Sequence, residues 1–380
     1  MDFRARPPAN QQSHKTTRAP TRKTPTTEPT KEKSLQPHST TEVLTTMTPK
    51  RTIYIIALLL IALGVTKTQG QSIEELKEQA EAGNREAQFE LGTIYIEGIE
   101  VIENFTEAIH WWKKAALQEH AEAQYHLGRV YDEGMGVEQD LVESTQWWRK
   151  AARQRYAEAQ YKLALAYADG RGEEQDFVQA LYWFRQASEQ GLAEAQYELG
   201  FAYAQGHGIE ENHALAAHWY SKAASQGLVD AQYELGNASN EGIGVEKNHS
   251  QAALWWKKAA SQGHIKAQHN LGMAYANGSG VDQDFTQTIY WYRKAALQGL
   301  AEAQHNLGRI YANGSGVEKD LTEAYSWHII ARATGGLTEM QAEILEDSIL
   351  KLRNDLSPTQ IIKAQQRATQ LHDVIQERMK

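Results

Sequence analysis

The chain has 380 residues, with 39 Lys and Arg against 48 Asp and Glu, and no cysteine. The missing cysteine excludes disulfide scaffolds, Cys-ligated zinc or iron–sulfur sites, thiol nucleophiles and a cysteine-anchored lipoprotein. Residues 1–70 carry +7 (11 basic, 4 acidic) and residues 71–380 carry −16 (28 basic, 44 acidic), so the body is too acidic for a phosphate-backbone binder and no nucleic-acid partner is expected.

Residues 1–46 are rich in Thr, Pro, Lys and Ser. Such a segment cannot bury enough apolar surface to offset its ordering entropy, so it reads as a disordered extension or a mis-assigned start. Residues 47–70 read as a signal peptide or signal anchor. Met47-Thr48-Pro49-Lys50-Arg51 makes a short basic start, and Thr68-Gln69-Gly70 offers small residues for cleavage. The apolar run between them, residues 53–65, has 13 residues, whereas a spanning helix needs about 20. Either version places the body outside the cytoplasm, in the periplasm or secreted. A membrane link then exists only if the anchor stays uncleaved.

From residue 71 to 335 the chain repeats itself every 36 residues, seven times. The buried-looking pair Ala-Gln returns at Gln88, Gln124, Gln160, Gln196, Gln232, Gln268 and Gln304 without an insertion. Leu-Gly follows in six units, with Leu163-Ala164 in the other, and then a Tyr that only Ser239 replaces. All ten tryptophans fall in two adjacent columns. One is complete, from Trp111 to Trp327, and the other holds Trp112, Trp148 and Trp256. No proline lies between residues 71 and 357, which suits continuous helices.

Each unit reads as two helices. The first carries apolar residues at three- and four-residue spacing, as in Ala123, Leu127, Val130 and Tyr131, and stops at a glycine. A Gly-x-Gly-Val loop follows in most units. Then Asn104, Asp140, Asp176, Asn212, Asn248, Asp284 or Asp320 caps the second helix with a side-chain oxygen. A glycine inside the first helix costs about 1 kcal/mol relative to Ala. It implies close approach of a helix or a Trp ring, whose burial of roughly 200 Å² returns on the order of 5 kcal/mol.

These columns, with Lys114, Lys150, Lys222, Lys258 and Lys294 after the tryptophan, resemble the Sel1-like repeat, a relative of the tetratricopeptide repeat. The resemblance runs from about residue 80 to 334. It implies an all-α, right-handed superhelical α-solenoid of helix-turn-helix repeats, and a role in assembling or regulating envelope complexes or in host interaction. Residues 336–380 leave the pattern and read as two capping helices, started by Thr338 with Gln341 and by Ser357 with Gln360.

Candidate chemistry is sparse. Ser348-Ile349-Leu350-Lys351 matches the Ser-x-x-Lys of penicillin-binding enzymes, but the Ser-Asp-Asn and Lys-Thr-Gly companions are absent. A cell-wall hydrolase using Ser348 and Lys351 is therefore the alternative reading, and the main expectation is no catalysis, cofactor or metal. His269 and His305 stand in a column otherwise filled by Phe and Tyr and read as packing rings. The Gly-x-Gly loops read as turns, and the Asn-x-Ser/Thr sequons as by-products of the repeat. The aromatic richness leaves a glycan- or peptidoglycan-binding module as a further alternative, although the tryptophans read as buried.

Binding is expected where the columns vary. In helical solenoids the first helices line the concave groove, and two of their columns vary most. One holds His126, Lys162, Glu198, Glu234, Asn270 and Asn306; the other holds Arg129, Leu165, Phe201, Asn237, Met273 and Arg309. Leu165, Phe201 and Met273 would anchor a protein or peptide, with the charged ends setting register. The scaffold is expected to be monomeric. The fifth unit departs most, at Asn237, Ser239 and Asn240, and losing its Tyr implies a pocket or a bend there.

Overall fold

The computed structural model describes residues 72–99 and 101–379. The extension expected at 1–46 and the export segment expected at 47–70 lie outside the described residues. The chain divides into two compact units, one ending at Leu91 and the other running from Gly92 to Lys380. Among the described residues there are 17 helices and no strand.

Helix α1 (Ile73–Glu81) belongs to the first unit, and α2 (Arg85–Glu97) runs across the boundary. The second unit continues with α3 (Phe105–Leu117), α4 (Ala121–Glu133), α5 (Leu141–Arg153), α6 (Ala157–Asp169) and α7 (Phe177–Glu189). Next come α8 (Ala193–Gln205), α9 (His213–Ser225), α10 (Val229–Glu241), α11 (His249–Ser261) and α12 (Ile265–Asn277). It ends with α13 (Phe285–Ala296), α14 (Ala301–Asn313), α15 (Leu321–Thr334), α16 (Glu339–Asp355) and α17 (Pro358–Met379). Each helix of the repeats in this unit packs on the next, which makes an all-α solenoid of paired helices.

The caps fall where the side chains dictate. All seven Asn or Asp side chains accept from backbone N–H groups at the start of a second helix, as Asp140 does from Val142 and Glu143. Such a cap contributes about 1 kcal/mol. First helices α4 to α14 end at left-handed glycines, such as Gly134 at φ 69°. The second loop glycine has another duty. A Cβ on Gly172 would collide with the Leu141 carbonyl of the preceding unit, so each turn seats on its neighbour's second helix.

The mid-helix glycine does admit a ring, but not from the complete tryptophan column. Gly128 faces Trp148, Gly236 faces Trp256, Gly200 faces Tyr220 and Gly272 faces Tyr292. The seat therefore belongs to the adjacent, variable aromatic column. In the complete column Trp111, Trp147, Trp291 and Trp327 are buried, and Trp183, Trp219 and Trp255 are half-buried. Lysines three residues on cover five indoles of this column, with Nζ 3.6 Å from the Trp147 centroid and 4.2 Å from that of Trp219. The lysine column thus supplies cation–π contacts on five of the seven second helices.

The Ala-Gln column is a hydrogen-bonded spine. Each buried Gln donates Nε2 to a backbone carbonyl eight residues back, as Gln160 does to Ala152 (3.1 Å). Its Oε1 accepts from a second Gln thirty residues on: Gln190 to Gln160 at 2.7 Å and Gln226 to Gln196 at 2.9 Å. Gln154, Gln262 and Gln298 do the same for their partners. The ladder stops at Gln304, whose Oε1 is buried without a partner because Thr334 stands where the next Gln would be. Replacing Gln196 by Leu should leave the Ser188 carbonyl and the Gln226 amide short of a bond. The expected loss is about 2 kcal/mol, read from urea unfolding followed by circular dichroism. A variant as stable as the parent would show that the ladder contributes nothing.

The last two helices pack on the final repeat. Helix α17 packs its Ala368, Leu371 and Ile375 with Trp327 and Ile330, and α16 packs Leu345, Ile349 and Leu352 with Tyr325 and Ala331. Both expected capping boxes form, at Thr338 with Gln341 and at Ser357 with Gln360.

Candidate interaction face on the first helices

The two variable columns lie on α4, α6, α8, α10, α12 and α14. His126, Lys162, Glu198, Glu234, Asn270 and Asn306 are all half-buried. Of the second column, Arg129, Leu165, Phe201 and Asn237 are half-buried, and Met273 and Arg309 are exposed. The repeat spaces these residues evenly, so the face offers a row of different chemistries on one rigid frame.

The ends of the row are basic or neutral. His126 stacks on Trp112 with centroids 4.9 Å apart, and burial lowers its pKa. Arg129 pairs with Glu133 at 3.5 Å. Lys162 and Leu165 line a small cavity of about 50 Å³ beside the ion pair Arg171–Asp132, which joins consecutive units at 2.7 Å. At the other end Asn306 lies 3.0 Å from the His269 ring nitrogen, across units.

The centre of the row is acidic. Burial raises the Glu198 carboxyl to about 7, with help from the negative charges of Asp169 and Asp230. Among the described residues no cation or hydrogen-bond donor pairs with it. One unit on, burial also raises Glu234, which accepts from Asn237 at 3.4 Å. Asn237 in turn accepts from the Trp256 indole (3.1 Å) and from Asn270 (3.3 Å).

Phe201, Glu234 and Asn237 converge on one cleft of about 230 Å³ between α8, α9 and α10. Met273 and Arg309 line neither this cleft nor the smaller cavity. His269 and His305 sit where Tyr sits in other units. His269 stacks on Tyr292 and His305 on His328, as Tyr197 does on Tyr220. Ser348 donates its hydroxyl to the Ile344 carbonyl at 2.8 Å, and Lys351 is exposed on the same helix.

Two site features escaped the sequence. In most units a Lys or Arg stands eighteen residues before the Tyr of the first helix, and Lys113, Arg149 and Arg185 meet theirs. Arg149 reaches the Tyr167 hydroxyl (3.1 Å) and Arg185 that of Tyr203 (3.2 Å). In the fifth unit both partners are lost together, as Ser221 and Ser239. The paired loss was visible in the spacing. The second feature is Ala217, a cleft wall where other units have Ile109, Leu181 or Ile289.

Among the described residues no helix is long and apolar enough to cross a membrane. No curated protein sequence is similar enough to match the chain. Solved structures do match. A protective antigen, c5321, present in uropathogenic Escherichia coli strains and displaying an SLR fold, is 33% identical with a TM-score of 0.71. The similarity covers 82% of this chain and 65% of that one, so the chain spans less than two thirds of that protein's length. A Sel1 repeat protein from Oxalobacter formigenes is 35% identical with a TM-score of 0.58, covering 72% of this chain and 79% of that one. The Sel1 repeat model matches seven consecutive segments, 85–120, 121–156, 157–192, 193–228, 229–264, 265–300 and 301–333. With those segments coinciding with the helix pairs from α2 to α15, the chain belongs to the Sel1 repeat family.

Proposed function

We propose that the protein is an exported, non-catalytic scaffold that binds a protein or peptide along the face of its first helices, in the bacterial cell envelope. One observation carries this reading. The caps and the Gln ladder recur through the units, and the variable aromatic column is buried against the glycine seats, whereas the two variable columns of the first helices lie half-buried or exposed. Scaffold and recognition are thus separated by position, as a binding array requires. The body is acidic, and export rests on the apolar run at 53–65 with its basic flank. The antigen character of the E. coli relative agrees with a protein that meets the outside. Residues 71–335 form the array, and residues 336–380 shield its open end.

The hydroxyl of Ser348 is held by a helix carbonyl, which favours a structural role for it over the hydrolase alternative. Lysines cover one face of five of the seven tryptophans in the complete column, which disfavours stacking of sugars there. The test is affinity capture from envelope extract with the mature protein and with a Phe201→Ala, Arg309→Glu double variant. Capture lost in the variant is expected. A partner retained equally by both would contradict the face.

A further inference from the structure

The cleft between α8, α9 and α10 is more selective than a general peptide groove. Its floor is made by Phe201, Ala216, Ala217 and Tyr220, and its rim carries Glu234 and Glu241, two turns apart on α10. Gln205 adds an amide group, Asn237 is already engaged by Glu234, Trp256 and Asn270, and His213 stands at one edge, 2.9 Å from Glu211. Among the described residues no ion pair engages Glu234 or Glu241. The volume of about 230 Å³ is far more than one water needs.

We propose that this cleft receives an arginine side chain of the partner polypeptide. An apolar floor under an acidic rim fits a side chain with an aliphatic stem and a charged head. The planar guanidinium stacks on aromatic faces such as Tyr220 and offers five forked donors to carboxylates and amides. A lysine head is a compact point charge and matches two separated carboxylates less well. Glu234 is partly buried and accepts only from the neutral Asn237 amide, so an incoming cation relieves the cost of its burial. Small residues leave room for the cleft: Ala217, like Ala253 one unit on, is smaller than Ile109, Leu181 or Ile289, and Asn237 stands where the preceding unit has Phe201.

The inference rests on the partner-binding reading but is tested apart from it. Four alanine methyls line the cleft, those of Ala204, Ala216, Ala217 and Ala238. In the full chain labelled with ¹³C at alanine methyls, Nα-acetyl-arginine methylamide should shift these four signals saturably. The neutral isostere Nα-acetyl-citrulline methylamide should bind at least tenfold more weakly, and the lysine analogue several-fold more weakly. Ala217→Leu should abolish the shifts while the fold stays intact, since Leu181 holds that position in another unit. Glu234→Gln, which leaves the packing alone, should weaken arginine about tenfold and citrulline hardly at all. Equal response to arginine and citrulline, or shifts that survive Ala217→Leu, would overturn the arginine pocket. Failure here with the Phe201 and Arg309 dependence of capture intact would leave the face standing and remove only this pocket.

Discussion

Replacing Gly128 by Ala should destabilise the protein, although alanine is the better helix former by about 1 kcal/mol. The added methyl would collide with the Cδ1 and Nε1 atoms of Trp148, in a core with 0% exposure at Leu127 and Val130. Overpacking of this kind costs typically 1–3 kcal/mol. The net loss expected is therefore about 1 kcal/mol, at most about 2, read as a lower midpoint of urea unfolding. The repeat itself supplies the rescue. The one unit without the glycine, at Ala164, carries the smaller Phe184 in place of the large ring, and both are buried. Gly128→Ala with Trp148→Phe should therefore recover stability, with a coupling of about 1 kcal/mol or more between the two sites. Additive losses would show that the glycine and the ring are not a matched pair.

Acid should weaken the last unit through His328. This ring takes the aromatic seat on Gly308, is 1% exposed, and stacks on His305 with centroids 5.1 Å apart. Burial, together with the nearby charges of His305 and Arg309, depresses its pKa to about 4. The unfolded chain, with an ordinary histidine near 6.5, then binds more protons than the folded chain between pH 6.5 and 4. The stability from keeping His328 neutral is fully present above 6.5 and is lost as pH falls toward 4. A shift of this size corresponds to about 3 kcal/mol. Glu198 works in the opposite sense. Its raised pKa means that protonation between pH 7 and 4.5 favours the folded state. The informative quantity is thus the difference between wild type and His328→Tyr, in which Glu198 cancels. Tyr292 shows that tyrosine fits the seat over Gly272. The difference should open by about 2 kcal/mol from pH 7 to 4.5, and a difference independent of pH would place His328 outside the acid response.

The period of 36 residues made much of this structure readable in advance. Caps and turns were legible because Asp or Asn and Gly act locally, on backbone groups two or three residues away. The ring seat was half legible. A mid-helix glycine announces a close approach, but choosing Trp148 over Trp147 requires knowing which face of the second helix turns inward. The exchange of Gly with a large ring for Ala164 with Phe184, twenty residues apart, carried that information. The Gln ladder was not legible, since Gln190 meets Gln160 only once two units are stacked. The variable columns were located by their variability. Their grouping into a small cavity by Lys162 and Leu165 and a larger cleft by Phe201, Glu234 and Asn237 needed the packing of neighbouring helices.

Site-specific photocrosslinking in envelope preparations tests most directly whether the first helices are the recognition face. A photoreactive amino acid would replace Phe201 or Met273 on first helices, or the exposed Tyr182 or Val178 on α7, a second helix. Crosslinks to a discrete partner from positions 201 and 273, and none from 178 and 182, are expected. Crosslinks from 178 and 182 alone would place recognition on the second helices and contradict the assignment.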